Sequence, residues 1–110
     1  MLTLDIRWTA KDRYGNEIYI TDERWEHIVD SFNHPEMKAY EEHLKSTIGL
    51  GTRSQDPLNP QKYRYIKEFG DLVEDNTHIV AIVLFRFGTD NYGRPVSNNY
   101  IVTAYQKEMG

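Results

Sequence analysis

Histidine exchanges protons near neutral pH and so is the first side chain to examine for acid or base work. The chain has four, at 27, 34, 43 and 78. His34 sits in the stretch Asn33, His34, Pro35, Glu36, where a proline disfavours helical geometry at the residue before it and starts a new helix well, so the chain should break and restart here. A histidine projecting from such a break suits an acid or base, and it equally suits a plain cap beside Pro35. His27 lies opposite the apolar stripe of its own helix, with Glu23 one turn earlier as a partner. It is a solvated histidine, or it turns toward a cleft shared with a sheet and works together with His34. The four histidines lack the i, i+4 spacing of a zinc-binding helix, so metal hydrolysis finds no support.

A second group of useful side chains lies in alternating runs near the C-terminus. Tyr63, Tyr65 and Lys67 share one face of a strand, with Arg64 and Ile66 on the other. In the last strand Tyr100, Val102 and Ala104 are expected on one face, and Ile101, Thr103 and Tyr105 on the other. If the tyrosine and lysine face adjoins Thr103 and Tyr105, it forms a platform where a base stacks and a phosphate is bound. The bland alternative is an ordinary amphipathic sheet surface.

Leu2, Leu4, Ile6 and Trp8 alternate with polar residues, and Ile18 and Ile20 alternate again after the turn-prone residues 12–16, which predicts a β-hairpin over 1–20. Thr21 is a good N-cap for a helix starting at Asp22, because its hydroxyl can accept from an unpaired backbone N–H of the first turn. Trp25, Ile28, Val29 and Phe32 fall at i, i+3, i+4 and i+7, one stripe toward the core. Met37, Tyr40, Leu44 and Ile48 form the stripe of a second helix that restarts at Pro35. Extended runs follow at 52–55, 62–69, 78–87 and 100–106, with loops at 56–60 and 88–96. The run from Ile79 to Phe85 is apolar on both faces and predicts a central strand covered on each side. The expected fold is therefore α+β and a single domain over 1–110. It comprises an N-terminal β-hairpin, a two-helix block over 21–50, and a four-stranded antiparallel sheet over 52–107.

Composition narrows the function classes. One hydrophobic core is what 110 residues can build. The absence of cysteine removes disulfide frameworks, thiolate zinc sites and cysteine nucleophiles. No apolar run reaches the roughly 20 residues of a membrane span, and the N-terminus lacks a signal-peptide layout, so a cytoplasmic protein with no membrane partner is expected. The net charge of −4 argues against broad attraction to nucleic acid. That charge is uneven, with ten acids and six bases up to Gly49 and seven of each from Leu50 onward, which leaves room for a local basic face on the sheet.

Five stretches together resemble a known group: ITDERWEHI at 20–28, HPEM at 34–37, YRYIK at 63–67, IVAIVLF at 79–85 and NYIVTAY at 99–105. They resemble small bacterial and phage domains in the ribonuclease-like fold superfamily named for barnase, EndoU, certain colicins and RelE. The resemblance implies two helices followed by a four-stranded antiparallel sheet. It also implies metal-independent, cofactor-free cleavage of RNA, tRNA or mRNA, by attack of a ribose 2′-hydroxyl on the adjacent phosphate, often in toxins held by an antitoxin. Under it His34 is base or acid with His27 as its complement, Arg64 or Lys67 stabilises the phosphate, and Thr103 and Tyr105 donate or stack. Tyr63, Tyr65 and Arg86 would contact RNA. Two further readings compete. One is a noncatalytic domain of the same fold that binds a protein partner. The other is a structural domain oligomerising through the hairpin, with Trp8, Ile18 and Ile20 partly exposed.

Overall fold

The protein is described from a computed structural model over residues 5–109, so the expectations for Leu2 and Leu4 lie outside the described residues. A hairpin opens the chain. Strands β1 (Ile6–Lys11) and β2 (Glu17–Thr21) are antiparallel, and the turn between them is held by Asp12, whose carboxylate accepts from the backbone N–H groups of Tyr14 and Asn16. Gly15 supplies the left-handed residue of that turn, at φ 88°. The Thr21 hydroxyl accepts from Arg24 N, 3.1 Å away, and starts helix α1 (Asp22–Val29) where the N-cap rule puts it.

The helix ends three residues early. Asp30 takes an extended ψ of 145°, its carboxylate accepts from Phe32 N and its carbonyl from Asn33 N, and this local turn replaces the last helical bonds. Phe32, expected in the core stripe, is instead 94% exposed. The restart also differs from expectation. Pro35 begins only a single 3-10 turn (Pro35–Met37), because Met37, Lys38 and Tyr40 donate to carbonyls three residues back. Regular hydrogen bonding resumes with Leu44 N donating to Tyr40 O, so helix α2 spans Glu41–Leu50. Met37, Leu44 and Ile48 are nevertheless buried as the stripe predicted. Gly51 then turns the chain sharply into the sheet; a Cβ there would sit on the Thr47 carbonyl oxygen and 2.7 Å from that of Ile66.

Strands β3 (Thr52–Gln55), β4 (Lys62–Glu68), β5 (His78–Thr89) and β6 (Pro95–Lys107) follow in antiparallel succession. The expected four-stranded antiparallel sheet is overturned. The sheet has six strands in the order β1-β2-β6-β5-β4-β3, and it is mixed, because β2 pairs parallel with β6. The hairpin is thus part of the sheet and not an appendage to it. The physical reason lies in β6, which at thirteen residues offers a second edge that would otherwise stay open. Asn99 Nδ2 donates to Glu17 O and the Tyr19 hydroxyl to Asn98 Oδ1 at this join. Ile18 and Ile20 become fully buried, which takes two of the three residues expected on an oligomerising hairpin surface away from it, while Trp8 stays partly exposed.

Both helices lie on one face of the sheet. The buried set Ile18, Ile20, Tyr65, Ile79, Ala81, Val83, Ile101 and Ala104 shares that face and packs with Trp25, Ile28, Met37, Leu44 and Ile48 in a single cluster. The expectation that β5 is covered on each side holds only in part: β5 lies inside the sheet, but among the described residues no helix covers its other face. There Val80 is buried between the registers of Ile66 and Tyr105, while Ile82 and Leu84 stay partly exposed. No helix among the described residues is long and apolar enough to cross a membrane.

Candidate nucleic-acid interface

Cross-strand pairing defines what the uncovered face carries, since directly opposed residues point to the same side. One row runs Lys62, Leu84, Tyr100, Tyr19 across β4, β5, β6 and β2. The next runs Ser54, Arg64, Ile82, Thr103, and the one after it Thr52, Ile66, Val80, Tyr105. Arg86 opposes Asn98 beyond the first row, and Glu68, His78 and Lys107 close the other end. Cations, hydroxyls and tyrosines therefore gather on one open surface of a chain with net charge −4.

The expected face assignments in β6 are corrected by a bulge. Ile82 opposes Thr103 and Val83 opposes Ile101, so Val102 is the extra, unpaired residue and the alternation changes phase across it. Tyr100, Thr103 and Tyr105 consequently share the open face, while Ile101 and Ala104 face the helices. The second correction concerns β4. Tyr63, Tyr65 and Lys67 do share a face, but it is the helix-covered one, so they do not adjoin Thr103 and Tyr105. Tyr65 is fully buried and donates its hydroxyl to the Asp12 carboxylate, which removes it as a stacking surface for RNA. Tyr63 packs on Phe85, ring centroids 4.8 Å apart, with the Arg53 guanidinium 4.5 Å over its own ring. The Lys67 ammonium sits 4.1 Å from the Phe69 ring centroid, away from Arg64.

The remaining candidates lie on or beside the open face. Arg64 and Lys62 line a hollow of about 240 Å³ with Ser54, Asp56 and Ile82. It adjoins a second hollow of about 300 Å³ that Lys62 and Ile82 share with Asn59, Leu84 and Thr103. Arg64 Nε is buried there with no hydrogen-bond partner among the described residues. A buried donor without an acceptor carries a desolvation penalty that an anionic ligand would remove. At the far margin, past the end of β2, the segment between α1 and the 3-10 turn passes β6. It brings His34 to Tyr105, ring centroids 5.6 Å apart. The His34 backbone is pinned, with its N–H donating to Ile28 O and its carbonyl accepting from Met37 N, and its Nδ1 lies 3.4 Å from Glu36 Oε2.

His27 lies on the exposed side of α1. It lines a hollow of about 280 Å³ with Thr21, Glu23 and Arg24, and Thr21 and Arg24 also line a neighbouring hollow with Tyr19 and Tyr100. The structure thus sets Arg64, Arg86, Thr103 and Tyr105 on one face with His34 beside Tyr105, leaves His27 in a separate hollow with Glu23, and separates Lys67, Tyr63 and Tyr65 from that face. Among the described residues no three or more His, Asp or Glu side chains gather to hold a metal ion.

Sequence reasoning missed Lys62, Tyr19, Tyr100 and Arg24. Tyr19 was legible, because it alternates with the core residues Ile18 and Ile20 and must point away from them. Tyr100 was not, because nothing in the pattern announces the bulge at Val102. Comparison with known proteins returns no match: no family model matches the chain, and no curated protein or solved structure matches it.

Proposed function

We propose that the open face of the sheet binds single-stranded RNA and cleaves it by attack of a ribose 2′-hydroxyl on the adjacent phosphate. The observation that carries this reading is the unpartnered Arg64 Nε, buried on the one sheet face that no helix covers, in the same row as Thr103 and one row from Tyr105. A guanidinium without an acid partner suits the charge that develops on a phosphate in the transition state. His34, held by its backbone against Tyr105, is the base for the 2′-hydroxyl or the acid for the leaving 5′-oxygen, and His27, in the hollow it lines with Thr21 and Arg24, is its complement. Thr103 donates a hydrogen bond to a phosphate oxygen. Arg86 extends the cationic track toward the hairpin end. The resemblance to ribonuclease-like domains supports the same assignment and suggests a cytoplasmic toxin restrained by an antitoxin.

The test is incubation of a mixed RNA pool with purified protein from about pH 5 to 8, the range in which histidine titrates. Cleavage that leaves cyclic phosphate ends is expected, with Arg64→Ala and His34→Ala each slowing it by about a hundredfold. Intact RNA across that range sinks the catalytic reading, and undiminished cleavage by His34→Ala sinks that residue's role.

A noncatalytic protein-interaction role is favoured by a different observation. Residues 86–89 and 95–98 pair only with each other and project as a two-stranded ribbon, with Phe87 and Tyr92 about four-fifths exposed. On this reading an affinity column retains one specific protein, and Phe87→Ser with Tyr92→Ser abolishes the retention.

A further inference from the structure

The hollow at the junction of β2, β6 and α1 is lined by Tyr19, Thr21, Arg24, Tyr100 and Ile101. Tyr19 and Tyr100 stand side by side on the open face, ring centroids 6.0 Å apart and tilted 42°. The orientation of Tyr19 is fixed, because its hydroxyl donates to Asn98 Oδ1 at 2.7 Å. Arg24 projects from the first turns of α1 into the same hollow. Among the described residues its side chain makes no hydrogen bond, salt bridge or ring contact, and only its backbone N–H is used, by Thr21. The Thr21 hydroxyl accepts that bond and keeps its own proton to donate. Glu23, the neighbouring acid, lines the adjoining hollow with His27 and not this one.

We infer that Tyr19, Tyr100, Thr21 and Arg24 form a nucleobase subsite, in which a base stacks on the tyrosine pair and its 5′-phosphate meets Arg24. The volume of about 190 Å³ lies below the roughly 300 Å³ at which pockets for whole drug-sized ligands begin, so the site takes one base and leaves the sugar outside. Tyr100 shares a row with Lys62 through Leu84, two strand spacings or about 10 Å away. A strand with adjacent phosphates at Arg64 and Lys62 can therefore lay a nearby base on Tyr100. The inference rests on the reading of this face as an RNA surface and adds a recognition site outside the reacting groups. Its polar handle, the Thr21 hydroxyl, favours bases that present a carbonyl or ring-nitrogen acceptor at that edge.

The test is an NMR titration of the isotopically labelled full chain with 5′-AMP and 5′-UMP, using ribose 5-phosphate and inorganic phosphate as base-less controls. Saturable shifts at Tyr19, Arg24 and Tyr100 with the nucleotides, and none at Tyr19 and Tyr100 with the controls, are the expected result. Tyr100→Leu weakens nucleotide binding about tenfold, the usual scale of one lost stack. Arg24→Gln, a change at a partly exposed side chain without structural partners, weakens the monophosphate but not the corresponding nucleoside. Equal shifts at Tyr19 and Tyr100 from ribose 5-phosphate, shifts confined to Arg64 and Lys62, or unchanged affinity in Arg24→Gln overturn the subsite. The two readings fail separately. RNA binding lost in Arg64→Ala but unaffected in Tyr100→Leu and Arg24→Gln removes the subsite alone. Nucleotide shifts at Tyr100 in a protein that neither binds nor cuts RNA remove the RNA reading and leave the subsite.

Discussion

The Asp12 carboxylate collects four donors: the backbone N–H groups of Tyr14 and Asn16, the Asn16 amide and the buried Tyr65 hydroxyl, with the Arg53 guanidinium 3.9 Å away. Burial pushes the Asp12 carboxyl up, and these donors outweigh it, so the group sits below its ordinary 3.8. The same burial and the bond to Asp12 push the Tyr65 hydroxyl up. Tyr65 is thus a structural anchor tying the hairpin turn to β4, which explains why a tyrosine that alternation alone could assign to a binding face is absent from it. Tyr65→Phe should cost about 2 kcal/mol, because it removes a bond to a charged acceptor, and urea unfolding should show a lower midpoint at unchanged slope. A carboxyl held low in the folded state contributes stability that is complete above its unfolded value and is lost as pH falls through the folded one. Glu41 belongs to the same class. It is held below its ordinary 4.5 chiefly by hydrogen bonding to Arg7, against burial, with Trp8 Nε1 as a further donor. The urea midpoint should therefore stay level from pH 7 to 5 and drop below about pH 4, and Asp12→Asn should make that drop shallower. Residue types alone nominated His34, Arg64, Thr103 and Tyr105, and the fold sets Arg64, not the expected Tyr63, Tyr65 and Lys67, on the face of Thr103 and Tyr105, with His34 beside Tyr105. Residue types misplaced Tyr63, Tyr65 and Lys67 because β4 carries a large hydrophobic or aromatic residue on each face, Tyr65 on one and Ile66 on the other, and alternation does not say which of them the helices cover.

Elements were legible where the signal is local and illegible where it is long-range. The Thr21 N-cap marked the start of α1, and the short strand at 52–55 stands where an extended run was expected. The parallel join of β2 to β6 depends on residues about eighty positions apart, and no periodicity in either strand encodes it. The break between the helices shows the same division. Spacing at i, i+3, i+4 and i+7 placed Phe32 and Met37 alike in core stripes, but the Asp30 turn swings Phe32 out while the 3-10 turn sends Met37 in. Phe32→Ser should therefore change stability by no more than about 0.5 kcal/mol, whereas Met37→Ala should cost about 2 to 5 kcal/mol for the cavity it leaves. Gly51 marks a close approach of two backbone segments that no spacing pattern announces. Gly51→Ala should destabilise by more than the usual gain from restricting the unfolded chain, since the new methyl meets backbone oxygens of both α2 and β4 that cannot move aside cheaply. Thermal melts of the three variants side by side check the ranking.

At the scale of the molecule, both sides of the sheet carry both signs of charge, but the open face gathers several cations despite Glu68 at its end and Asp56 in the Arg64 hollow. Several N-terminal acids are used by the helical side, with Glu41 and Asp22 paired to Arg7, and Glu23, Glu26 and Asp30 exposed along α1. The open face holds Lys62 and Arg64 near its centre, Arg86 toward the hairpin and Arg24 at its rim. The whole-chain charge of −4 therefore conceals a local cationic track, and the two make different predictions for RNA. If net charge governed, raising salt would screen repulsion and strengthen binding. If the track governs, each neutralised phosphate releases counterions and binding weakens. With Lys62, Arg64 and Arg24 each meeting one phosphate, log K should fall against log salt with a slope of about −2, since each contact on a single strand contributes about −0.7. Between 50 and 200 mM salt that amounts to roughly a fifteenfold loss of affinity for a short single-stranded RNA, measurable by fluorescence anisotropy. Lys62→Gln should make the slope shallower by about 0.7. Tyr100→Leu should lower affinity at every salt concentration and leave the slope alone, because stacking displaces no counterions. A flat or rising dependence on salt would mean that the acidic helical side dominates the field felt by RNA, and the open face would then have to serve a ligand other than a polyanion.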